Sequence, residues 1–245
     1  MIDSELQRLQ AVQDEFYEDA ELHTHLAFDA ASTYARDLTD HLRQEVTLRR
    51  DEALLELGAG AGRFSLHLAP HCSHLVALDT SRALLDVLAV QAGTDARIER
   101  ANASAFDLRA WRRARTFDVV CGFFILHHVP QHADLFELIH EALRPGGRIA
   151  FIEPNRINPS FLLQVAISPE MKWEAEKGMF SFSARETMRL LRGAGFERVR
   201  VRRFGLCPPQ LLDRVPRILP LQHALERVPG VRRILPFSLI VGERS

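Results

Sequence analysis

Ala53-Leu54-Leu55-Glu56-Leu57-Gly58-Ala59-Gly60-Ala61-Gly62 sets a short apolar run directly against three alternating glycines, and this stretch decides the fold. A run of this length, apolar but for one carboxylate, suits a buried strand. Alternating glycines give the chain backbone conformations closed to other residues and let the main chain approach another group closely. Helical spacing then resumes in Phe64-Ser65-Leu66-His67-Leu68-Ala69. The reading is strand, glycine turn, helix, a unit in which a ligand can lie against main-chain N–H groups at a helix start.

The same alternation runs outward from this unit. Leu75-Val76-Ala77-Leu78 reads as a strand ending at Asp79, with a helix from Ser81 to Gln91 and a weaker strand at Ala96 to Arg100. Phe117 to Cys121 is a fourth strand, and the helix from Asp134 to Leu143 is stopped by Pro145-Gly146-Gly147. Arg148 to Glu153 is a fifth strand, closed by Pro154; a helix from Ser183 to Gly193 leads into a strand at Phe196 to Phe204, and a last strand spans Phe237 to Glu243. Upstream, Leu6, Leu9, Val12 and Phe16, then Leu38, Leu42 and Val46, recur at helical spacing. Strands alternating with helices require a mostly parallel sheet covered on both faces. The expected organisation is one α/β domain over residues 1–245. Helices fill 1–50, a strand-rich core fills 53–154, and insertions occupy 155–182 and 205–236.

Composition narrows the setting. The 245 residues carry a net charge of −1, which gives no reason to expect nucleic acid as partner. Acids gather near the start (Asp3, Glu5, Asp14, Glu15) and arginines near the end (Arg198, Arg200, Arg202, Arg203), an asymmetry read as solvated faces before an anion-binding surface. Cys72, Cys121 and Cys207 are too scattered for a disulfide framework, which points to a reducing, cytoplasmic setting. Neither a signal peptide nor a membrane-spanning segment is expected.

Spacing separates the ligands a glycine turn could hold. The dinucleotide fingerprint G-x-G-x-x-G wants its third glycine where Arg63 stands, and it has no use for Glu56 two residues before the first glycine. Asp79, at the end of the second strand, is an acceptor-only group suited to a pair of ribose hydroxyls, and equally suited to capping the next helix. With these residues in place the chain resembles the class I S-adenosylmethionine-dependent methyltransferases. Glu56 to Gly62 is similar to that family's first motif, Ala77-Leu78-Asp79-Thr80-Ser81 to its second, Phe117-Asp118-Val119-Val120 to its fourth strand, and Leu143-Arg144-Pro145-Gly146-Gly147-Arg148 to the turn before its fifth.

The resemblance implies a Rossmann-like seven-stranded sheet, mostly parallel, with an antiparallel last strand. It implies S-adenosylmethionine as cofactor, held by Glu56, Gly58, Ala59, Gly60 and Gly62, with Asp79 and Thr80 at the ribose, Asn102 and Ala103 at the adenine, and Gly122 and Phe123 at the methionyl end. Asn102 departs from the aspartate most common in the family, though its amide oxygen can accept the same hydrogen bond. In Leu126-His127-His128-Val129-Pro130, His128 best matches a family histidine facing the acceptor and is the candidate base, with His127 as the alternative. No metal is expected: Pro130 separates His128 from His132, and the metal-binding pattern of the similar quinone O-methyltransferases has glutamates at the positions of Phe124 and His127.

Phe161, Trp173, Met179 and Phe180 are expected to line an apolar acceptor pocket. By the same resemblance Pro208 to Pro236 helps to build that pocket, and its apolar residues from Leu211 to Leu235 are expected to cover the sheet or a dimer contact, or else to meet a lipid surface. The activity implied is methylation, with oxygen preferred, of a small or lipid-like acceptor by a monomer or homodimer. The alternatives are a nicotinamide-dependent oxidoreductase and a non-catalytic adenosylmethionine-binding protein.

Overall fold

Apolar residues on both sides of each central strand leave the chain one solution, a sheet with helices on both faces. The computed structural model describes residues 28–112, 115–129, 132–158 and 182–245. Its strands are β1 (Ala53–Leu57), β2 (His74–Asp79), β3 (Ile98–Asn102), β4 (Phe117–Phe123), β5 (Leu143–Pro154), β6 (Phe196–Phe204) and β7 (Phe237–Arg244). They form a seven-stranded sheet in the order β3-β2-β1-β4-β5-β7-β6. The pairings β1·β2, β1·β4, β2·β3 and β4·β5 are parallel, and β7 lies antiparallel between β5 and β6. The expected fold class holds, down to the reversed last strand.

Helices α1 (Thr33–Glu45), α2 (Ser65–Leu68), α3 (Arg82–Ala92), α4 (Leu108–Arg112), α5 (His132–Ala142), α6 (Ala184–Gly193), α7 (Pro209–Arg214), α8 (Leu219–Leu225) and α9 (Pro229–Arg232) surround the sheet. Alternate strand residues feed two cores, as the period of two requires. Leu54, Leu75, Val119 and Ala150 pack on one face with Leu38 and Leu42 of α1 and Leu88 of α3. Leu55, Val76, Val120 and Ile149 pack on the other with Phe136 and Ile139 of α5 and Leu191 of α6.

Several element boundaries differ from the sequence reading, and two of the differences have a local cause. β3 starts at Ile98 rather than Ala96 because Asp95 closes a turn: its carboxylate accepts from Arg97 N–H at 3.0 Å and its carbonyl from Ile98 N–H at 3.2 Å. The helix after the glycine turn lasts only to Leu68 and tightens into a 3₁₀ turn at Ala69–His71, where Pro70 has no N–H to extend it. β5 begins at Leu143 instead of Arg148, and its register against β4 shifts between Phe117 and Val119.

The segment 205–236 clasps α1. Ser32 caps α1 by accepting from Ala35 N–H at 3.1 Å, and Asp213 of α7 accepts from Tyr34 N–H at 2.9 Å and from the Ser32 hydroxyl at 3.2 Å. Two open N–H groups of the first turn are thereby satisfied by residues on either side of a long sequence gap. Asn155 Nδ2 donates to the Leu235 carbonyl at 2.8 Å and Asn158 to that of Ile234, so the start of the first insertion is tied to the end of the second. The apolar run from Leu211 to Leu235 divides. Leu212 and Leu235 are buried, whereas Leu211, Val215, Leu221, Val228 and Ile234 are exposed.

The first helical stretch (Leu6 to Phe16) and the expected pocket residues Phe161, Trp173, Met179 and Phe180 lie outside the described residues. No helix among the described residues is long and apolar enough to cross a membrane. Asp213→Ala should cost about 1 kcal/mol, the usual value of a helix-capping acceptor, seen as a lower urea midpoint at unchanged slope.

Candidate functional site

Strand order reverses beside β1: its chain neighbours β2 and β3 lie on one side and β4 and β5 on the other. The crevice beyond the carboxyl ends of β1 and β4 is where an open parallel sheet can take a ligand. The glycine turn fills its floor. Gly58 and Ala59 both donate to the Leu78 carbonyl, at 2.9 and 3.1 Å, pinning the turn to the end of β2. Gly58, Gly60 and Gly62 have φ of +68°, +52° and +84°. A side chain at Gly58 would strike Ile125 at 2.7 Å and one at Gly62 would strike Leu88 at 2.3 Å, while a Cβ at Gly60 would meet nothing nearer than Leu84 at 3.8 Å. Packing against this chain therefore explains two of the glycines. Gly60 keeps main chain bare beside open space, a cradle that a side chain would occupy.

Asp79 joins the turn to the second strand. Its Oδ2 accepts from Gly60 N–H at 2.7 Å and its Oδ1 from Ser81 N–H at 2.8 Å. The helix cap itself is Ser81, whose hydroxyl accepts from Leu84 N–H. Thr80 is exposed, and Asn102 uses its amide nitrogen to hold the carbonyls of Thr80 (2.7 Å) and Asp79 (3.2 Å). Ala103 N–H also donates to the Asp79 carbonyl, at 3.1 Å. The amide in place of the family's aspartate thus braces the β2 end, which a carboxylate could not do without a proton to donate.

Glu56 is buried, its Oε2 accepting from the Ser65 hydroxyl at 2.6 Å. Burial, partly countered by that hydrogen bond and reinforced by the Asp79 charge, pushes its pKa up to about 8. Gly122 has no room for a side chain, since a Cβ would lie 2.6 Å from Ile125 and 3.1 Å from the Leu57 carbonyl. Phe123 stacks on Phe64, with centroids 4.1 Å apart. What this pair can present to a ligand is backbone.

The histidine loop is organised by Glu153, a residue that sequence reading passed over because it looks like the polar end of β5. It is fully buried; its Oε1 accepts from Ile125 N–H (2.9 Å) and Leu126 N–H (2.7 Å), and its Oε2 pairs with His127 Nδ1 at 2.7 Å. These bonds follow directly on Phe124, whose φ of +56° is strained for a bulky residue. His127 is buried and acts as an anchor, while the more accessible His128 packs on it with ring centroids 4.0 Å apart. Burial, then the neighbouring His127, hold the His128 pKa well below 6.5, so its ring is neutral and able to accept a proton. His132 donates elsewhere, to the Leu126 carbonyl at 2.6 Å.

A family model described as a methyltransferase domain matches residues 10–201. The chain belongs to the class I S-adenosylmethionine-dependent methyltransferases. This methyltransferase is 31% identical over 144 residues to a trans-aconitate 2-methyltransferase from Streptomyces avermitilis, covering 57% of this chain and 54% of that protein. It is 32% identical over 117 residues to a ubiquinone biosynthesis O-methyltransferase from Paraburkholderia xenovorans, covering 46% and 49%. The matched segments span about half the length of these curated relatives. A methyltransferase structure from Archaeoglobus fulgidus shares the fold with a TM-score of 0.60 at 16% identity, over 85% of this chain and 94% of that one.

The buried Glu56 makes the methyltransferase pH-sensitive in a defined direction. Between about pH 4.5, its ordinary value, and about pH 8, the folded chain holds a proton that the unfolded chain has released. Stability is therefore full below that window and declines as pH rises through it. Glu56→Gln should flatten the decline, whose limiting slope is about 1.4 kcal/mol per pH unit, as read from urea midpoints across the window.

Proposed function

We propose that this chain transfers a methyl group from S-adenosylmethionine to a small-molecule acceptor, with a hydroxyl oxygen as the receiving atom and His128 as the base. The observation that carries the cofactor half is the Asp79 carboxylate held by the Gly60 N–H at the crevice where strand order reverses. Asp79 would take the ribose hydroxyls, the bare main chain of Gly58 to Gly62 the adjoining portion, Ala103 the adenine, and the Gly122–Phe123 backbone the methionyl end. The open space at Gly60 fits such an occupant. The cofactor, when bound, supplies an activated methyl on a sulfonium.

That chemistry needs little from the protein beyond alignment, exclusion of water and removal of the acceptor's proton. A neutral His128 suits the last task, and the Glu153–His127 pair suits the positioning of its ring. The relatives named for trans-aconitate and for ubiquinone biosynthesis support a small molecule as acceptor. The exposed apolar residues of α7, α8 and the turn at Ile234 support a lipid-like one.

Two measurements test the proposal. S-adenosylhomocysteine at a hundred times its dissociation constant should raise the melting temperature by about 5–10 °C, and NADH or NADPH should not; a shift only with a nicotinamide overturns it. In a mass-spectrometric acceptor screen, methylated product should form with hydroxyl acceptors and not with their deoxy counterparts. His128→Asn should then lower kcat by roughly 10²–10⁴ while leaving S-adenosylhomocysteine binding unchanged. Wild-type activity should persist as pH falls through 6.5, where an ordinary histidine would become charged and useless as a base. Binding without turnover of any acceptor points instead to a non-catalytic adenosylmethionine-binding protein.

A further inference from the structure

On the α1 side of the sheet, away from the His127–Glu153 pair, two histidines and two carboxylates converge where the C-terminal segment crosses α1. Asp37 and His41 stand one turn apart on α1, and His223 and Glu226 come from α8 and its C-terminal cap. Donor atoms of Asp37, His41 and His223 all lie within 4.8 Å of one another. The individual separations are 2.8 Å from His223 Nε2 to Asp37 Oδ1, 3.6 Å from His41 Nε2 to the same oxygen, and 3.6 Å from His41 Nε2 to Glu226 Oε2. A tetrahedral zinc site with ligand bonds near 2.0–2.1 Å has donors about 3.3 Å apart, inside the range seen here.

The surrounding hydrogen bonds leave one oxygen of each carboxylate turned toward this point. Asp37 Oδ2 is occupied by Gln222 Nε2 at 2.9 Å, and Glu226 Oε1 by Gly205 N–H at 2.9 Å. Gln222 is itself fixed, its oxygen accepting from Leu206 and Cys207 N–H. Outer contacts of this kind orient metal ligands. The second, independent observation is His41. It is 6% exposed, and its buried Nε2 makes no hydrogen bond although it faces both carboxylates. Arg202 approaches Glu226 no nearer than 3.9 Å, so the nitrogen partners of the two buried carboxylates at this point are the histidines.

We propose that Asp37, His41 and His223 bind a divalent transition metal of the zinc class, with Glu226 or water completing the coordination. The ion takes the Nε2 lone pair of each histidine, the neutral ring keeping its proton on Nδ1 and any second ring proton leaving to solvent, and it balances the carboxylate charge. Its role is structural: it staples the segment 205–236 to α1. The histidine doublet after β4, where metal binding was considered from the sequence, takes no part.

The test uses the whole chain, stripped with a chelator and dialysed against zinc alone, with metal counted by plasma mass spectrometry. One zinc per chain is expected. Zinc should raise the melting temperature by about 5–10 °C at a hundred times its dissociation constant, and cobalt in its place should show the intense visible bands of tetrahedral coordination. His41→Gln and His223→Gln should each abolish binding. His74→Gln, a histidine on β2, should leave it unchanged. The His223 side chain is 40% exposed, so its substitution tests the site even where His41→Gln does not fold; a circular dichroism spectrum matching wild type separates lost metal from lost structure. No stoichiometric zinc in the wild type, or zinc retained by a folded His223→Gln variant, overturns the proposal.

Discussion

A carboxylate buried at the carboxyl edge of a parallel sheet must find donors, and Glu153 finds three within one short loop. Because it accepts from Ile125 and Leu126 N–H and pairs with His127, the chain leaving β4 has one available course. That course holds Phe124 in a left-handed conformation, a cost of about 1–3 kcal/mol that persists only where neighbouring contacts over-determine it. It also places Ile125 against Gly58 and Gly122, where neither glycine could carry a side chain. The histidine loop and the glycine turn are thus fitted to each other through one isoleucine, and the fit rests on a single buried side chain.

Asp79 works by the same rule at the neighbouring strand end, bridging Gly60 and Ser81. Asp37 repeats it on the helical layer, holding Gln222 and His223. In each case an acceptor-only group with no rotamer to spare ties together segments distant in sequence. Aromatic packing connects these points. His41 lies 4.3 Å from Phe204, Phe204 lies 5.6 Å from Phe237, Phe237 lies 5.6 Å from Phe124, and Phe64 stacks on Phe123 beside the glycine turn. The C-terminal segment is therefore in packing contact with the strand ends that form the crevice.

Much of the fold was legible in the chain because its signals are local. A five-residue apolar run, a proline or a glycine pair speaks for its own few residues, and the bounds of β6, between buried Phe196 and Phe204, are legible in the same way. Where neighbours intervened, the reading slipped: Asp95 delayed β3 through a side-chain turn, and Pro70 cut short the helix expected after the glycine turn. The residues proposed for the cofactor were visible as well, since a glycine turn and an acid at the next strand end are separated by a fixed strand–helix–strand length.

The sequence by itself determined the sheet, its helical cover and the family, because periodicity and glycine spacing report directly on local backbone geometry. Tertiary structure alone decided what the titratable groups do. It made Glu153 the partner of His127, used the Asn102 amide nitrogen to brace the end of β2, and gathered Asp37, His41, His223 and Glu226 from opposite ends of the chain. The physical reason is that hydrogen bonding and coordination depend on distances of a few ångströms in space, which sequence separations of up to 186 residues do not encode.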